Sequence, residues 1–285
     1  MTEQSNIGRM KVLFIDTTHP VLKEELTAMN FICEDLSGFP DKTFEEILPD
    51  YHGVIIRSKV RLDSATLDKA SKLKFIARAG AGMESIDVAH AESNGIACIK
   101  APEGNKDSVA DHALGMILAL LKNLHIADSE VKRGLWHRES NRGFELTGKT
   151  VGIIGCGFTG GEVAKRLSGF DVTVLGYDKY KKGFSNNYVV ESTMDRIYEE
   201  ADIISLHLPL TDETHFMVNN EFIERFNKDI YIINTSRGKV IYTEDLVNNL
   251  KSGKVRGACL DVLEYESTSF ERLKGLGIWT NNRGR

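Results

Sequence analysis

Short apolar runs alternate with amphipathic stretches almost from end to end of the chain. The runs cover residues 11–16, 31–36, 53–56, 75–77, 97–99, 150–154, 171–176, 202–205, 230–234 and 255–260. They are rich in Val and Ile, and most are uninterrupted rather than alternating. That is the pattern of strands buried on both faces of a parallel sheet. Between them, residues 64–71, 88–94, 162–168, 193–200 and 243–251 have helical composition. The alternation predicts an α/β, doubly wound architecture. It breaks once, between Ala101 and Thr150. A turn-rich stretch, 101–105, leads into a long helix predicted over about residues 108–123, with Val109, Ala113, Leu114, Met116, Ile117 and Leu120 at helical spacing. The segment beyond it, up to Gly148, is polar and carries Trp136 and His137. Ala101 therefore reads as a domain crossing, with a first domain over residues 1–100 and a second over 101–285.

Composition narrows the function classes. At 285 residues the chain is near the ceiling for one hydrophobic core, which again predicts two domains. The formal net charge of −5 argues against a general nucleic-acid binder, which would be basic. Cys33, Cys98, Cys156 and Cys259 are far apart and form no CxxC pair. Neither a zinc site, nor any other metal site, nor a disulfide framework is expected, and a reducing cytoplasm fits best. The polar start lacks the apolar stretch of a secretory leader. No run approaches about 18 apolar residues, so no membrane span is expected.

The most specific local chemistry lies at residues 151–160. Gly155, Gly157 and Gly160 form G-x-G-x-x-G directly after a strand-like run and before a helix-like one, the context that gives the motif meaning. Gly155 permits the tight turn, Gly157 lets the backbone approach a pyrophosphate, and Gly160 lets helix and strand pack closely. Amides at the helix start would then face the phosphates, where the helix dipole also favours negative charge. A second strand follows and ends before Asp178, 18 positions after Gly160. That spacing suits a carboxylate binding the adenosine ribose hydroxyls and repelling the extra phosphate of NADP. Lys179, Lys181 and Lys182 come next and would soften that preference. The simpler reading, a glycine-rich turn with a surface Asp, leaves the strand–turn–helix–strand–acid series unexplained.

Other stretches join this turn: Arg57-Ser58, the loop at 79–87, Asn105 with residues 108–112, His207-Leu208-Pro209-Leu210-Thr211, Asn234-Thr235-Ser236-Arg237-Gly238 and Leu260-Asp261-Val262. Together, from about Arg57 to Glu266, they resemble the D-isomer-specific 2-hydroxyacid dehydrogenase family, nearest its D-3-phosphoglycerate dehydrogenase-like members. The resemblance implies a Rossmann NAD-binding domain with a doubly wound parallel sheet, a smaller flavodoxin-like α/β substrate domain, and an active site in the cleft between them. Phe158 and Thr159 would sit at the pyrophosphate turn, and Asp178 would hold the ribose. Pro209 and Thr214 would line the coenzyme groove. Thr235 and Asp261 would contact the nicotinamide end, with Ser236 among the coenzyme-binding residues. Arg237 would bind the substrate carboxylate and polarise the reacting carbonyl. Backbone amides of Gly80, Ala81 and Gly82 would face that carboxylate, with Arg57 and Asn105 making further contacts. Glu266, five residues after Asp261, stands at the family's catalytic Glu position. Relatives dimerise through the region of residues 108–148, which predicts a homodimer with Trp136 as a buried anchor or in an intradomain crevice.

One departure accompanies the resemblance. The family's acid–base His follows that Glu in a Pro-His motif, whereas the last histidine here is His215. The helix that returns to the first domain in relatives is missing as well, so the tail resembles a truncation. His207 reads as packing in the coenzyme groove and His112 as structural. Two functions are thus expected. One is an NAD-dependent oxidoreductase moving a hydride between NAD(H) and a small D-2-hydroxy acid or its 2-oxo acid, with D-3-phosphoglycerate the leading substrate. The alternative is a catalytically impaired NAD-binding or interaction module that turns over poorly or not at all, because a positioned acid–base group typically contributes about 10²–10⁴-fold in rate.

Overall fold

The computed structural model describes residues 10–38 and 44–265, and every strand pairing among them is parallel. The chain divides into two units, Met1–Asn105 and Lys106–Arg285.

In the first unit β1 (Lys11–Phe14), α1 (Pro20–Ala28), β2 (Ile32–Asp35), α2 (Phe44–Ile47), β3 (Gly53–Ile56), α3 (Ser64–Lys69), β4 (Phe75–Arg78), α4 (Val88–Ser93) and β5 (Ala97–Lys100) follow in turn. The sheet order is β2-β1-β3-β4-β5, the flavodoxin-like arrangement. Alternate residues of the central strands serve opposite faces. Leu13, Val54, Ile56 and Ile76 pack with Leu48, Leu62 and Leu67 on one side. Val12, Phe14 and Ile55 pack with Leu22, Leu26 and Phe75 on the other. Gly53 is required there, because a Cβ would stand 2.1 Å from the Phe75 ring. The apolar runs at 31–36 and 97–99 do not become fully buried strands. β2 and β5 are the sheet edges and remain largely exposed. Asp63 and Asp87 start α3 and α4 by accepting the N–H groups of Thr66 and His90.

The second unit opens with α5 (Lys106–Leu121) and α6 (Leu124–Lys132), which meet at 63° across the left-handed Asn123, φ +52°. Then come β6 (Thr150–Ile154), α7 (Phe158–Leu167), β7 (Thr173–Tyr177), β8 (Val190–Glu191), α8 (Met194–Glu200), β9 (Ile203–Leu206), α9 (Asn220–Glu224), β10 (Ile230–Asn234), α10 (Thr243–Ser252) and β11 (Val255–Leu260). The order β11-β10-β9-β6-β7-β8 is the doubly wound dinucleotide-binding arrangement, with β6 as its first strand and the switch point between β6 and β9. One face packs Ile154, Ile204, Leu206 and Ile232 against Ile197, Phe222, Phe226 and Leu246. The other packs Val151, Ile153, Ile203 and Ile233 against Ala110, Ala113, Ile117, Val163 and Leu167 of α5 and α7. Arg166 of α7 ties those two helices at their surface, reaching Asp107 at 2.9 Å, Asp111 at 2.6 Å and the buried Glu162 at 2.5 Å. Among the described residues no single helix is long and apolar enough to cross a membrane.

Candidate functional site

The carboxyl ends of β6, β7, β9, β10 and β11 share one edge of the second sheet, and the predicted coenzyme residues of the second unit lie along it. At its centre β6 runs into the glycine turn. Gly155 has φ +94°, and a Cβ there would lie 2.3 Å from the His207 carbonyl oxygen. A Cβ on Gly160 would stand 2.1 Å from the Gly155 carbonyl oxygen, so α7 sits directly on the turn. Gly157 differs from both, since a Cβ there would meet nothing within 4 Å. It precedes the first turn of α7 and offers no side-chain cap. The first N–H groups of α7 therefore face open space beside exposed Gly157, with the positive end of a ten-residue helix behind them. Such a cradle fits a diphosphate, which needs close backbone approach and amide donors. Cys156 within the turn is buried. Burial, then the neighbouring Asp178 charge, pushes its thiol up to about 12, so it packs as an unreactive thiol.

Asp178 follows β7 and is already fixed. Its Oδ2 accepts the Cys156 N–H at 3.0 Å, and its Oδ1 accepts the Tyr180 and Lys181 N–H groups, each at 3.0 Å. Oδ2, with a single donor, keeps a lone pair for a further one, such as a sugar hydroxyl. On the far side of the turn, β9 leads to His207, whose Nε2 lies 2.9 Å from the Oγ of fully buried Ser205. Its Nδ1 is buried with no partner among the described residues, and burial pushes the imidazole down to about 4. His207 is therefore neutral at pH 7. The loop beyond it closes on itself: Thr214 Oγ1 donates to the Pro209 carbonyl at 2.7 Å and accepts the Thr211 N–H at 2.8 Å. Glu213 of that loop takes the Tyr180 hydroxyl at 2.6 Å and pairs with Lys179 at 2.7 Å.

At the end of β10 the organising residue is Asn234. Its Oδ1 accepts both the N–H and the hydroxyl of Ser236, at 3.0 and 2.7 Å, and its Nδ2 donates to the Arg237 carbonyl at 2.9 Å. That network holds the Thr235-Ser236-Arg237 turn, in which the Thr235 hydroxyl is buried with no partner among the described residues and Arg237 Nη1 donates to the Ser236 carbonyl at 2.7 Å. The segment after β11 packs on the same turn, because a Cβ on Gly238 would stand 2.1 Å from the Leu263 backbone. Asp261 donates its N–H to the Asn234 carbonyl at 2.9 Å, and its Oδ1 lies 3.3 Å from His112 Nε2. Thr235, Ser236, Arg237 and Asp261 are thus brought together. Glu264 is committed elsewhere: it accepts the Thr243 N–H at 3.0 Å at the start of α10. Glu266 lies outside the described residues.

In the first unit, Arg57 follows β3 and the Gly80–82 loop follows β4, so both stand at the carboxyl edge of that sheet. The buried carboxylate of Asp16 accepts the N–H groups of Arg57 and Lys59, fixing the first loop with the Arg57 side chain exposed. Arg78 joins the two loops by donating to the carbonyls of Arg57 and Gly82. Asn105 is exposed at the end of this unit. The sequence pattern had assigned no role to Asn234, Asp16 or Arg78. The one available signal was the Asn at the last position of the IYIIN run, where a buried amide needs partners within the following turn.

Residues 114–278 match the family described as D-isomer specific 2-hydroxyacid dehydrogenase, NAD binding domain. The chain belongs to the D-isomer specific 2-hydroxyacid dehydrogenase family. Similar curated proteins include the D-3-phosphoglycerate dehydrogenase of Methanocaldococcus jannaschii, 36 % identical over 260 residues that make up 90 % of this chain and 49 % of the relative. The hydroxypyruvate reductase of Thermotoga maritima is 37 % identical over 227 residues, 79 % of this chain and 74 % of the relative. The chain spans about half the length of the phosphoglycerate dehydrogenases it matches. Among solved structures, a glyoxylate reductase from Paecilomyes thermophila superposes with a TM-score of 0.81 at 26 % identity, covering 90 % of this chain and 83 % of that one. An NAD-dependent formate dehydrogenase from Staphylococcus aureus in complex with NAD gives a TM-score of 0.75 at 27 % identity, covering 92 % and 84 %. For a 2-hydroxyacid dehydrogenase of this family NAD is the coenzyme, and the open cradle at Gly157 together with the carboxylate of Asp178 fits it.

Proposed function

We propose that the protein is an NAD-dependent oxidoreductase that moves a hydride between NAD(H) and a small D-2-hydroxy acid or its 2-oxo acid. The observation that carries this is the pairing, along one sheet edge, of the Gly155–Gly157–Gly160 turn and Asp178 with the turn that presents Thr235, Ser236 and Arg237. The first set suits a dinucleotide, with amides of Phe158 and Thr159 at the diphosphate, Asp178 at the ribose, and Pro209 and Thr214 along the groove. The second suits its reactive end and an acid substrate. NAD supplies a two-electron hydride acceptor or donor. Arg237 would bind the substrate carboxylate, since a guanidinium stays charged and offers a planar two-toothed fork. Thr235 and Asp261 would hold the nicotinamide end. In the first unit the Gly80, Ala81 and Gly82 amides, Arg57 and Asn105 would contact the acid. Oxidation of the 2-hydroxyl would move its C2 hydride to NAD and release its O–H proton to water, since residues 216–285 contain no histidine to accept it. Glu266 would stand beside that proton's path, at the family's catalytic Glu position.

The substrate assignment is D-3-phosphoglycerate and its 2-oxo partner. The exposed cations Arg57, Lys59 and Arg61 favour a phosphorylated acid, and the name of the Methanocaldococcus relative points the same way. The working unit would be a homodimer. Leu124, Val131, Trp136 and Phe144 are half or more exposed on α6 and the segment after it, and Trp136 is 79 % exposed, which removes an intradomain crevice as its place. The four free thiols fit a reducing cytoplasm.

NADH fluorescence titration, followed by NADH oxidation with a panel of 2-oxo acids including 3-phosphohydroxypyruvate, tests the assignment. Binding of NADH and oxidation fastest with the phosphorylated acid is the expected result. Folded protein that binds NADH but oxidises it with none of the acids would overturn the activity.

A further inference from the structure

Three lysines follow the ribose acid Asp178, and a 2′-phosphate on adenosine would look to them for a counter-charge. The structure engages all three. Lys181 Nζ donates to the Cys156 carbonyl at 3.2 Å, and Lys182 Nζ reaches the Asp178 carbonyl at 3.5 Å. Lys179 is bound by Glu213 at 2.7 Å, and Glu213 also takes the hydroxyl of Tyr180 at 2.6 Å. The Lys179 ammonium lies 5.5 Å from the centre of the Tyr180 ring, so the three side chains form one cluster. Hydrogen bonds from Lys179 and Tyr180 hold the Glu213 carboxyl below the usual range and raise Lys179, which keeps the pair ionised.

The topology gives this cluster its meaning. Lys179 and Tyr180 follow β7, Glu213 lies in the loop after β9, and these two strands flank β6 on opposite sides. A contact between their loops therefore crosses the carboxyl end of β6, where the glycine turn lies. The cluster spans the adenosine side of the crevice, within one residue of the acid that faces the sugar.

Resting on the NAD reading above, we infer that Glu213 is a coenzyme-selectivity residue. By holding Lys179 from the opposite loop, it denies a counter-ion to a phosphate at the adenosine 2′ position. Selection for the unphosphorylated ribose is thus shared between an acid that faces the sugar and a second acid that occupies the lysine able to relax that choice. Both partners are about half exposed, with side-chain exposures of 56 % for Lys179 and 52 % for Glu213, so neutral replacements leave the fold intact.

Calorimetric titration of the full chain at low salt with ADP-ribose and with 2′-phospho-ADP-ribose tests this without any turnover. The unmodified protein should prefer ADP-ribose. Glu213→Gln should bind 2′-phospho-ADP-ribose about tenfold more tightly than the unmodified protein, with ADP-ribose changed by less than about threefold. Adding Lys179→Gln to Glu213→Gln should abolish the gain. No gain in Glu213→Gln, with ADP-ribose still bound, overturns the inference. So does a gain that survives loss of the lysine, which would reduce Glu213 to a simple repulsive charge. Unmodified protein that binds neither probe overturns the NAD reading itself, and the selectivity role falls with it.

Discussion

At the scale of single residues, the glycines of the turn separate two requirements that one motif conflates. Gly155→Ala forces a Cβ against the His207 carbonyl at a positive φ, and should destabilise the protein by about 1–3 kcal/mol. Gly157→Ala meets no protein atom, so its melting temperature should stay within a degree or two while NADH affinity falls by about tenfold or more, because the methyl stands where a diphosphate would approach. Thermal melts and NADH titrations on the two variants check the contrast. His207 carries a pH signature. Its ordinary value of 6.5 is pushed by burial to about 4, so the unfolded chain binds the proton more readily than the folded one. Stability is complete above pH 6.5 and falls as the pH drops toward 4, by up to about 3 kcal/mol. Melting temperatures across that window should decline in the unmodified protein and decline less in His207→Asn. What the sequence disclosed at this scale follows the range of each interaction. The glycines and Asp178 belong to one local strand–turn–helix–strand series, and that series was readable. Asp16 works on amides 41 and 43 positions away, and no spacing rule reaches that far.

At the scale of elements, uninterrupted apolar runs located β3, β6, β10 and β11 with their observed limits, since central parallel strands need apolar residues on both faces. Helices were harder. α1 and α6 were not anticipated, because α1 buries no residue and α6 buries only Glu130, leaving little apolar face to read. α7 starts at Phe158, earlier than its helical composition suggested, because the adjacent Gly160 and Gly161 disguise a first turn that the diphosphate cradle requires. β8 is two residues long and left no pattern. The junction of α5 and α7 gives a prediction at this scale. Arg166 answers the buried Glu162 while also reaching Asp107 and Asp111. Arg166→Met should lower the melting temperature by removing the shortest of the cationic contacts to Glu162, leaving Lys106 and Lys165 at 3.4 and 3.5 Å, and the added change Glu162→Met should recover part of the loss, since an apolar pair of similar size replaces a buried charge at little cost. Melts of the single and double variants measure the recovery.

At the scale of the whole molecule, the two units apply one rule twice. Each is a parallel sheet whose carboxyl-end loops carry the candidate chemistry, and each fixes those loops with a buried polar side chain: Asp16 in the first, Asn234 in the second. Assembly gives the prediction here. If Trp136 anchors a second copy, Trp136→Ala should shift light-scattering mass from dimer toward monomer at micromolar concentration, with NADH affinity nearly unchanged because Trp136 is not among the residues assigned to the coenzyme. A protein that is monomeric throughout a concentration series would remove the dimer.

The three amides gathered by Asp178 carry one further implication. They lock that acid's rotamer through the protein's own backbone, so an arriving nucleoside would find its anchor already set and no side chain would have to search. Capture at that end should then proceed in a single kinetic phase whose rate rises linearly with nucleotide concentration. Asp178→Ala would slacken the bend after β6 and, on the proposed reading, the grip on the sugar, which would tie the durability of the fold to recognition at a single carboxylate.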